Sequence, residues 1–297
     1  MGARHVFLFF LIVLVLLGAY HYYYFIRSSG IVGIRVATTT SLYATGLLEY
    51  LAEKFCKKYS NVRLEFIAVG SGEALRRAEM GDVSMVFVHA PSLEKIYIDN
   101  GVLVAHRIIA YNYFVLVGPS SDPADIRDSE NAIEAFIRLY RAGEAGRAVF
   151  VSRGDSSGTH IKELSLWRSA NLNPRGRSWY RESGAGMGQT LIIANELGAY
   201  TLSDIGTFLK FKKKGRIPNL EVLYANSTEL INIYSVYIVS SSSGSVRSYA
   251  ELFANFIYEN QNLIATYGVE EYGQPLFYPA KGLEEKLYSL WLKLAGG

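Results

Sequence analysis

The sequence is poor in cysteine and in net charge. Its 297 residues include one cysteine, Cys56, and 30 basic side chains stand against 27 acidic ones. A single cysteine excludes an intramolecular disulfide, and no cysteine lies near residue 20, where a lipoprotein anchor would need one. The near-neutral balance of charges provides no basic patch of the kind that binds nucleic acid, so we expect no nucleic-acid partner.

One long apolar run lies at the amino terminus. Residues 6–26 would form a helix of about 31 Å, which suffices to cross the hydrocarbon core of a bilayer. Arg4 precedes the run and a tyrosine cluster closes it, as at the ends of a membrane anchor, so we expect this segment to tether the chain to a membrane. A signal peptide cleaved near Ala19 and a buried core helix are the alternatives. The anchor and the signal peptide both place the rest of the chain outside the cytoplasm, a location compatible with a glycosylation sequon at Asn226.

After Gly30, short β-rich segments alternate with helical patterns. This order predicts an α/β protein with a mostly parallel sheet and helices on both of its faces. The predicted strands are 31–38, 62–69, 84–88, 102–117, 148–151, 220–224 and 233–240. The predicted helices include a stretch that ends near Tyr59 and the segments 73–80, 158–170, 245–266 and 282–295.

Two long β segments divide the chain into two parts. A chain that leaves one lobe through residues 111–118, builds a second lobe and returns through residues 225–235 forms a hinged pair with a cleft between the lobes. We therefore expect two α/β lobes joined by a two-segment hinge and preceded by the amino-terminal hydrophobic helix. The predicted division assigns residues 1–30 to a signal anchor or signal peptide, residues 31–117 and 231–297 to lobe 1, and residues 118–230 to lobe 2.

Four polar turns each precede a predicted helix. They are residues 38–41, 70–72, 152–159 and 184–188, and they are rich in glycine, serine and threonine. The first N–H groups of a helix favour negative charge, glycine lets the backbone approach a ligand, and hydroxyls add donors. Because ligands of open α/β sheets lie beyond the carboxyl ends of strands, turns from both lobes would surround one small anion. The alternative is that these residues are only helix caps and turn formers.

Arg153 adds a permanent positive charge to the third of these turns. A guanidinium with several donors suits a tetrahedral dianion, whereas an ion pair with Asp155 or Glu163 is the structural alternative. None of the four turns is followed by the Gly-Lys-Ser/Thr of a nucleotide-binding P-loop, so a nucleotide phosphate is not expected.

A hydrolase is an alternative that fits the spacing less well. The third turn contains a G-x-S-x-G pattern centred on Ser156, with Asp155 and His160 close by. Residues so near in sequence do not easily form a nucleophile, a base and an orienting group, and the pattern lacks a clear strand leading into it. His89 and His106 lack the spacing of metal ligands. We therefore expect no catalytic residue, no cofactor and no bound metal cation.

Several longer segments, spread in order over residues 31–280, match one family pattern. They include ATTTS from position 37, AVGSGEAL from 68, YNYFVLVGP from 111, FVSRGDSSGTH from 150 and GAYTLSDIGT from 198. In these segments the sequence resembles the extracytoplasmic tungstate-binding proteins of ABC importers, which have the type II periplasmic-binding-protein fold. The segments that begin at 111 and 150 are the most specific of the set.

The resemblance implies capture of tungstate or molybdate and delivery of the ion to an ABC permease by a monomer. Tungstate is an unprotonated dianion whose site needs donors only, whereas a phosphate-selective site would want a carboxylate, for which Asp155 is the obvious candidate. A membrane-tethered oxyanion sensor and a phosphate- or sulfate-type binding protein are the alternatives. Carried onto the matching positions, the resemblance implies ligand contacts from Thr39, Thr40, Ser41, Ser71, Arg153, Ser157, Gly158 and Thr159.

Overall fold

The computed structural model describes residues 12–21, 30–225 and 227–296. Residues 12–21 are helical, and the rest of the predicted amino-terminal helix lies outside the described residues, as does Asn226. Within the described ranges, no helix combines the length and the apolar character needed to span a bilayer. The membrane tether therefore stays a prediction from the sequence.

Strands and helices alternate through residues 32–295. The strands are β1 (Val32–Thr39), β2 (Val62–Val69), β3 (Met85–Val88), β4 (Leu103–Pro119), β5 (Phe150–Ser152), β6 (Tyr180–Glu182), β7 (Thr201–Asp204), β8 (Leu220–Tyr224), β9 (Ile231–Val239) and β10 (Tyr278–Pro279). The helices are α1 (Thr40–Thr45), α2 (Leu47–Lys58), α3 (Ser71–Glu79), α4 (Pro91–Asp99), α5 (Ala132–Glu144), α6 (Gly158–Ser169), α7 (Met187–Leu197), α8 (Ile205–Lys213), α9 (Gly244–Glu259), α10 (Gln261–Thr266), α11 (Val269–Tyr272) and α12 (Glu284–Ala295). A short 3-10 helix covers Thr228–Leu230.

The main sheet is mixed, with the strand order β10-β4-β9-β3-β1-β2. β1 pairs in parallel with β2 and with β3, while β9 runs antiparallel to β3 and to β4. The prediction of a mostly parallel sheet is therefore wrong. The physical reason is that β9 returns beside β4 in the opposite direction, a pairing between distant segments that local periodicity does not show.

β4 is long and changes its neighbours along its length. From Leu103 to Tyr113 it pairs with β9, and from Phe114 to Pro119 it pairs with β7 and β8. We call β1, β2, β3, β9 and β10 the first strand group, and β5, β6, β7 and β8 the second strand group. β4 contributes its first part to the first group and its last part to the second.

Each strand group is covered by helices with an aromatic core. In the first group, the rings of Phe55 on α2 and Phe253 on α9 have centroids 4.9 Å apart. In the second group, the rings of Phe136 on α5 and Trp167 on α6 are 4.4 Å apart. Gly143 makes room for this core, because a Cβ there would come within 2.3 Å of an indole ring. The ring of Trp167 helps to fix α6, whose first turn forms part of the candidate site.

Three helices, α4, α8 and the four-residue α11, lie where the sequence analysis predicts none. α4 begins with Pro91, which suits a first helical position, and α8 follows Asp204, whose Oδ1 accepts the Thr207 N–H at 2.8 Å. The predicted helix that ends near Tyr59 is divided at Gly46, which has a left-handed φ of 84°. These helix boundaries depend on local capping residues. The periodicity of apolar residues does not predict them.

Candidate anion-binding site

All four predicted polar turns fold as the starts of helices, and the turn at 184–188 starts α7 at Met187. Thr39 ends β1 and caps α1, where its Oγ1 accepts the Leu42 N–H at 3.3 Å. Ser157 caps α6 in the same way, and its Oγ accepts the His160 N–H at 3.2 Å. Among the described residues no side chain caps α3, which begins at Ser71. A strand followed by a small polar residue thus places helix N-termini at the positions that the sequence predicts.

The turns of the two strand groups lie against each other. Arg153 Nη2 donates a hydrogen bond to Thr40 Oγ1 at 3.2 Å. A Cβ at Gly70 would lie 3.5 Å from the carbonyl oxygen of Asp155, and a Cβ at Gly186 would lie 3.9 Å from Thr40 Oγ1. All four predicted turns therefore meet at one place, and glycine at position 70 allows the two backbones to approach closely.

Buried donors without partners are concentrated at this meeting point. Three side-chain atoms here are buried and have no hydrogen-bond partner among the described residues: Ser71 Oγ, Thr159 Oγ1 and Arg153 Nε. Thr38 Oγ1, at the end of β1, is likewise buried and has no partner among these residues. An unpaired buried polar group costs about 1–3 kcal/mol, so a cluster of them needs an explanation. An anion with several acceptor oxygens would satisfy them together. Three of the four are residues that the sequence analysis assigns to the ligand.

Arg153 is a buried cation, with 2% of its surface exposed. Its Nη2 forms an ion pair with Asp155, and the other carboxylate oxygen of Asp155 accepts the Ser157 N–H at 3.1 Å. Burial lowers the pKa of the Arg153 guanidinium, while the nearby carboxylates of Asp155 and Asp204 raise it. The ion pair with Asp155 is thus confirmed. Because the ion pair uses Nη2 and leaves Nε unpaired, it does not exclude a ligand at the same side chain.

A buried carboxyl group supports the turn that carries Arg153. Glu163 accepts hydrogen bonds from three side chains: Ser152 Oγ at 2.7 Å, Tyr180 OH at 2.7 Å and Trp167 Nε1 at 3.1 Å. Burial raises the pKa of Glu163 to about 7. Glu163 therefore does not pair with Arg153. It holds the residue that precedes Arg153 and so helps to position the turn.

Asp204 belongs to this region although the sequence analysis does not single it out. Its carboxyl group is fully buried, and Oδ2 has no hydrogen-bond partner within the described part of the chain. Burial raises the pKa of Asp204, which favours the neutral acid and limits the negative charge beside Arg153. The sequence signal at this position is an Asp three residues before Thr207, which is a helix-cap pattern. This pattern predicts the start of a helix but not that Asp204 lies near Arg153.

Some predicted ligand residues already have partners inside the chain. Ser41 Oγ lies 3.2 Å from His89 Nε2 and 3.3 Å from Thr39 Oγ1. The Ser157 hydroxyl caps α6, and Gly158 lies against His89, where a Cβ would come within 2.6 Å of the imidazole. The structure thus shows packing and capping roles for Thr39, Ser41, Ser157 and Gly158. Their direct contact with a ligand stays a prediction.

The geometry gives no support to the hydrolase alternative. His160 Nδ1 accepts the Ser156 N–H at 3.0 Å, so the imidazole braces the turn. A catalytic histidine donates its Nδ1 hydrogen to an orienting carboxylate, whereas Nδ1 of His160 accepts a backbone N–H, so no carboxylate among the residues described orients this ring. Over the same residues, no group of three or more His, Cys, Asp and Glu side chains is placed to hold a metal ion.

Proteins with a similar sequence include members of the PBP superfamily and tungstate-binding proteins. The model of the PBP superfamily domain matches residues 27–261. The tungstate-binding protein TupA of Peptoclostridium acidaminophilum is 36% identical over 250 residues, which cover 83% of this chain and 85% of that protein.

Two solved structures give the same result. The tungstate ABC transporter structure from Geobacter sulfurreducens is 40% identical, with a TM-score of 0.69, and the match covers 79% of this chain and 98% of that one. The tungstate-binding protein TupA from Desulfovibrio alaskensis is 36% identical, with a TM-score of 0.70, and the match covers 83% of this chain and 98% of that one.

Proposed function

Because this chain belongs to the PBP superfamily and, within it, to the family of the tungstate-binding proteins, we propose that it captures tungstate outside the cytoplasm for an ABC importer. One observation carries the proposal, namely the cluster of buried and unpaired donors on Ser71, Arg153 and Thr159 in the described structure. In this role the protein binds its ion reversibly and hands it to a membrane permease, without chemical transformation.

Tungstate matches this set of donors in charge and in shape. At neutral pH it is a tetrahedral dianion without a proton, so all of its oxygens accept hydrogen bonds and none donates. Arg153 Nε provides a charge-assisted donor, while Ser71 and Thr159 provide hydroxyls from the first turns of α3 and α6. The N-termini of these two helices add backbone N–H groups and a favourable dipole. Electrostatic contacts are stronger in a buried site than in water, because the effective dielectric constant there is lower. A nearly neutral chain can therefore bind a dianion without an excess of positive charge.

Asp155 does not offer a free acceptor to a protonated phosphate. Phosphate keeps a proton near neutral pH, and a selective site would offer that proton a free acceptor. Both carboxylate oxygens of Asp155 are used inside the turn, one by Arg153 and one by the Ser157 N–H. Molybdate and sulfate present the same acceptors as tungstate, so the size of the cavity must separate these three ions.

The capture mechanism that we propose is the closure of two lobes over the ion. The lobes comprise residues 31–117 with 231–297, and residues 118–230. The change of β4 from β9 to β7 and β8 at Phe114 supports this division. The hydrogen bond from Arg153 to Thr40 supports closure, because it joins a turn of the second lobe to the first turn of α1. An ion bound beside it would draw the two lobes together.

Isothermal titration calorimetry of the purified full chain tests this proposal. We expect 1:1 binding of tungstate and no heat of binding with phosphate under the same conditions. Competition with molybdate and sulfate then ranks the three ions that donor chemistry alone does not separate. Binding of phosphate in preference to tungstate, or no binding of any oxyanion at micromolar protein, would contradict the proposal.

A further inference from the structure

A buried chain of polar side chains leads from the long strands to the candidate site. Asn112 of β4 and Asn232 of β9 are paired in register one residue before Tyr113, where the pairing with β9 ends. Asn232 Nδ2 donates to Asn112 Oδ1 at 3.0 Å and to Tyr234 OH at 2.7 Å. The amide of Asn232 therefore directs its oxygen, Oδ1, towards His89 Nδ1 at 2.9 Å.

This contact fixes the proton on the imidazole of His89. The amide oxygen of Asn232 only accepts hydrogen bonds, so His89 Nδ1 must carry the hydrogen. Burial, together with the positive charge of Arg153, lowers the pKa of His89 to about 4. The ring is therefore neutral at pH 7, and Nε2 presents a lone pair.

The lone pair on Nε2 determines what the Ser41 hydroxyl does. Ser41 Oγ lies 3.2 Å from His89 Nε2, so the hydroxyl hydrogen of Ser41 is donated to the imidazole. Thr39 Oγ1 accepts the Leu42 N–H and lies 3.3 Å from Ser41 Oγ, so the Thr39 hydroxyl in turn donates to Ser41. Both hydroxyl hydrogens are used within the protein and are not available to an anion.

The same imidazole also contacts the second strand group. A Cβ at Gly158 would come within 2.6 Å of His89 Cε1 and within 2.7 Å of Nδ1. The ring of Phe114, the first residue of β4 that pairs with β7, has its centroid 6.0 Å from that of His89. His89 thus touches the turn at Ser41, the start of α6 and the strands that join the two groups.

We propose that His89 is a positioning residue for oxyanion capture, which holds the turns at Ser41 and Gly158 at a fixed separation and keeps the Ser41 hydroxyl turned away from the ion. This inference rests on the proposed function and adds to it a residue that acts through its neighbours. It also assigns the Thr39 and Ser41 hydroxyls a structural role, so that the donors to the ion come from other residues of the site.

Calorimetry on variants of the full chain tests the inference. His106 offers a matched control, because it is a partly buried histidine whose pKa is also lowered to about 4 and whose Nε2 lies 3.0 Å from the Ser235 hydroxyl. We expect His89→Ala to weaken tungstate binding about tenfold or more, and His106→Ala to leave the dissociation constant unchanged. Ser41→Ala should add no further loss in the His89→Ala background, since the two side chains act together.

The outcomes separate this inference from the proposed function. If the wild-type chain binds no tungstate, the proposed function fails. If the wild-type chain binds tungstate and a folded His89→Ala variant binds it within twofold of wild type, the role of His89 is refuted. Should that variant not fold, the nitrogen-15 resonances of His89 in the wild type give the answer. A hydrogen on Nδ1 supports the inference, and a hydrogen on Nε2 overturns it.

Discussion

At the scale of the residue, we expect ion capture to depend most on the side chain of Arg153. We expect Arg153→Ala to weaken tungstate binding by about 2–5 kcal/mol, because a buried charge-assisted donor is lost. Arg153→Lys should recover only part of the loss, since an ammonium group does not reproduce the fixed fork of donors. Calorimetry provides the dissociation constants.

Arg247 supplies the control for this prediction. It lies on α9 in an exposed ion pair with Glu251 at 2.9 Å, so Arg247→Ala removes an arginine without touching the candidate site. An Arg153→Ala variant that binds tungstate as tightly as Arg247→Ala would show that Arg153 serves only its ion pair with Asp155.

Glu163 gives a second residue-scale prediction, for stability against pH. Its pKa is raised from 4.5 to about 7 in the folded protein, so the folded state binds the extra proton between these values. The stabilisation of the folded state by this proton is complete below the pKa of Glu163 in the unfolded chain. It is lost as the pH rises through the pKa in the folded protein, which lowers the unfolding free energy by about 3 kcal/mol. We expect Glu163→Gln to remove this decrease of stability with pH, so the unfolding free energy of the variant should vary less than that of the wild type between about pH 5 and pH 7.

Denaturant unfolding of both proteins at a series of pH values measures this difference. Glu134 provides a contrasting carboxyl, because it is only partly buried and its hydrogen bonds lower its pKa. Glu134→Gln should therefore keep the wild-type fall in stability. Parallel curves for wild type and Glu163→Gln would show that folding does not raise the pKa of Glu163.

The sequence identifies part of the site at this scale. Ser71, Arg153 and Thr159 stand in turns before helices, and the structure leaves a donor of each buried and unpaired among the described residues. The partner of Ser41 could not be predicted, because His89 lies 48 positions away and pairs with it only after the sheet has formed. The approach of Asp204 to Arg153 is likewise a product of folding.

At the scale of the element, the start of α6 has no room for added atoms. Gly158→Ala would place a Cβ within 2.6 Å of the His89 ring and 2.9 Å of the His89 carbonyl oxygen. The helix start would have to move away from His89, and we expect tungstate affinity to fall about tenfold or more. Gly33→Ala is the control, because a Cβ at Gly33 meets nothing within 4 Å.

Circular dichroism and calorimetry of the two variants test this prediction. Both should keep the helical content of the wild type, and only Gly158→Ala should lose affinity. Equal affinities would mean that the first turn of α6 does not contribute to the ion site.

The elements themselves are predicted unevenly from the sequence. The predicted bounds of β2 and β8 coincide with the observed Val62–Val69 and Leu220–Tyr224, because both segments are short β-rich runs between clear turns. The direction of β9 is not predicted, since pairing with β4 depends on residues far apart in the chain. α8 is missed because its amino-terminal signal is a single cap at Asp204.

At the scale of the whole molecule, the proposed function requires movement of the two lobes. We expect small-angle scattering of the full chain to show a smaller radius of gyration with tungstate than without it, because a bound dianion holds turns of both lobes together. The addition of phosphate should leave the scattering unchanged. Identical curves with and without tungstate would contradict a large closure.

The central claim is that one tungstate ion accepts hydrogen bonds from the buried, unpaired donors, and diffraction tests it most directly. A crystal of the full chain with tungstate, measured at the tungsten absorption edge, locates the metal by its anomalous signal. We predict one ion whose oxygens lie at hydrogen-bond distances of about 2.7–3.2 Å from Arg153 Nε, Ser71 Oγ and Thr159 Oγ1. An ion bound elsewhere, with these three donors still unpaired, would contradict the account.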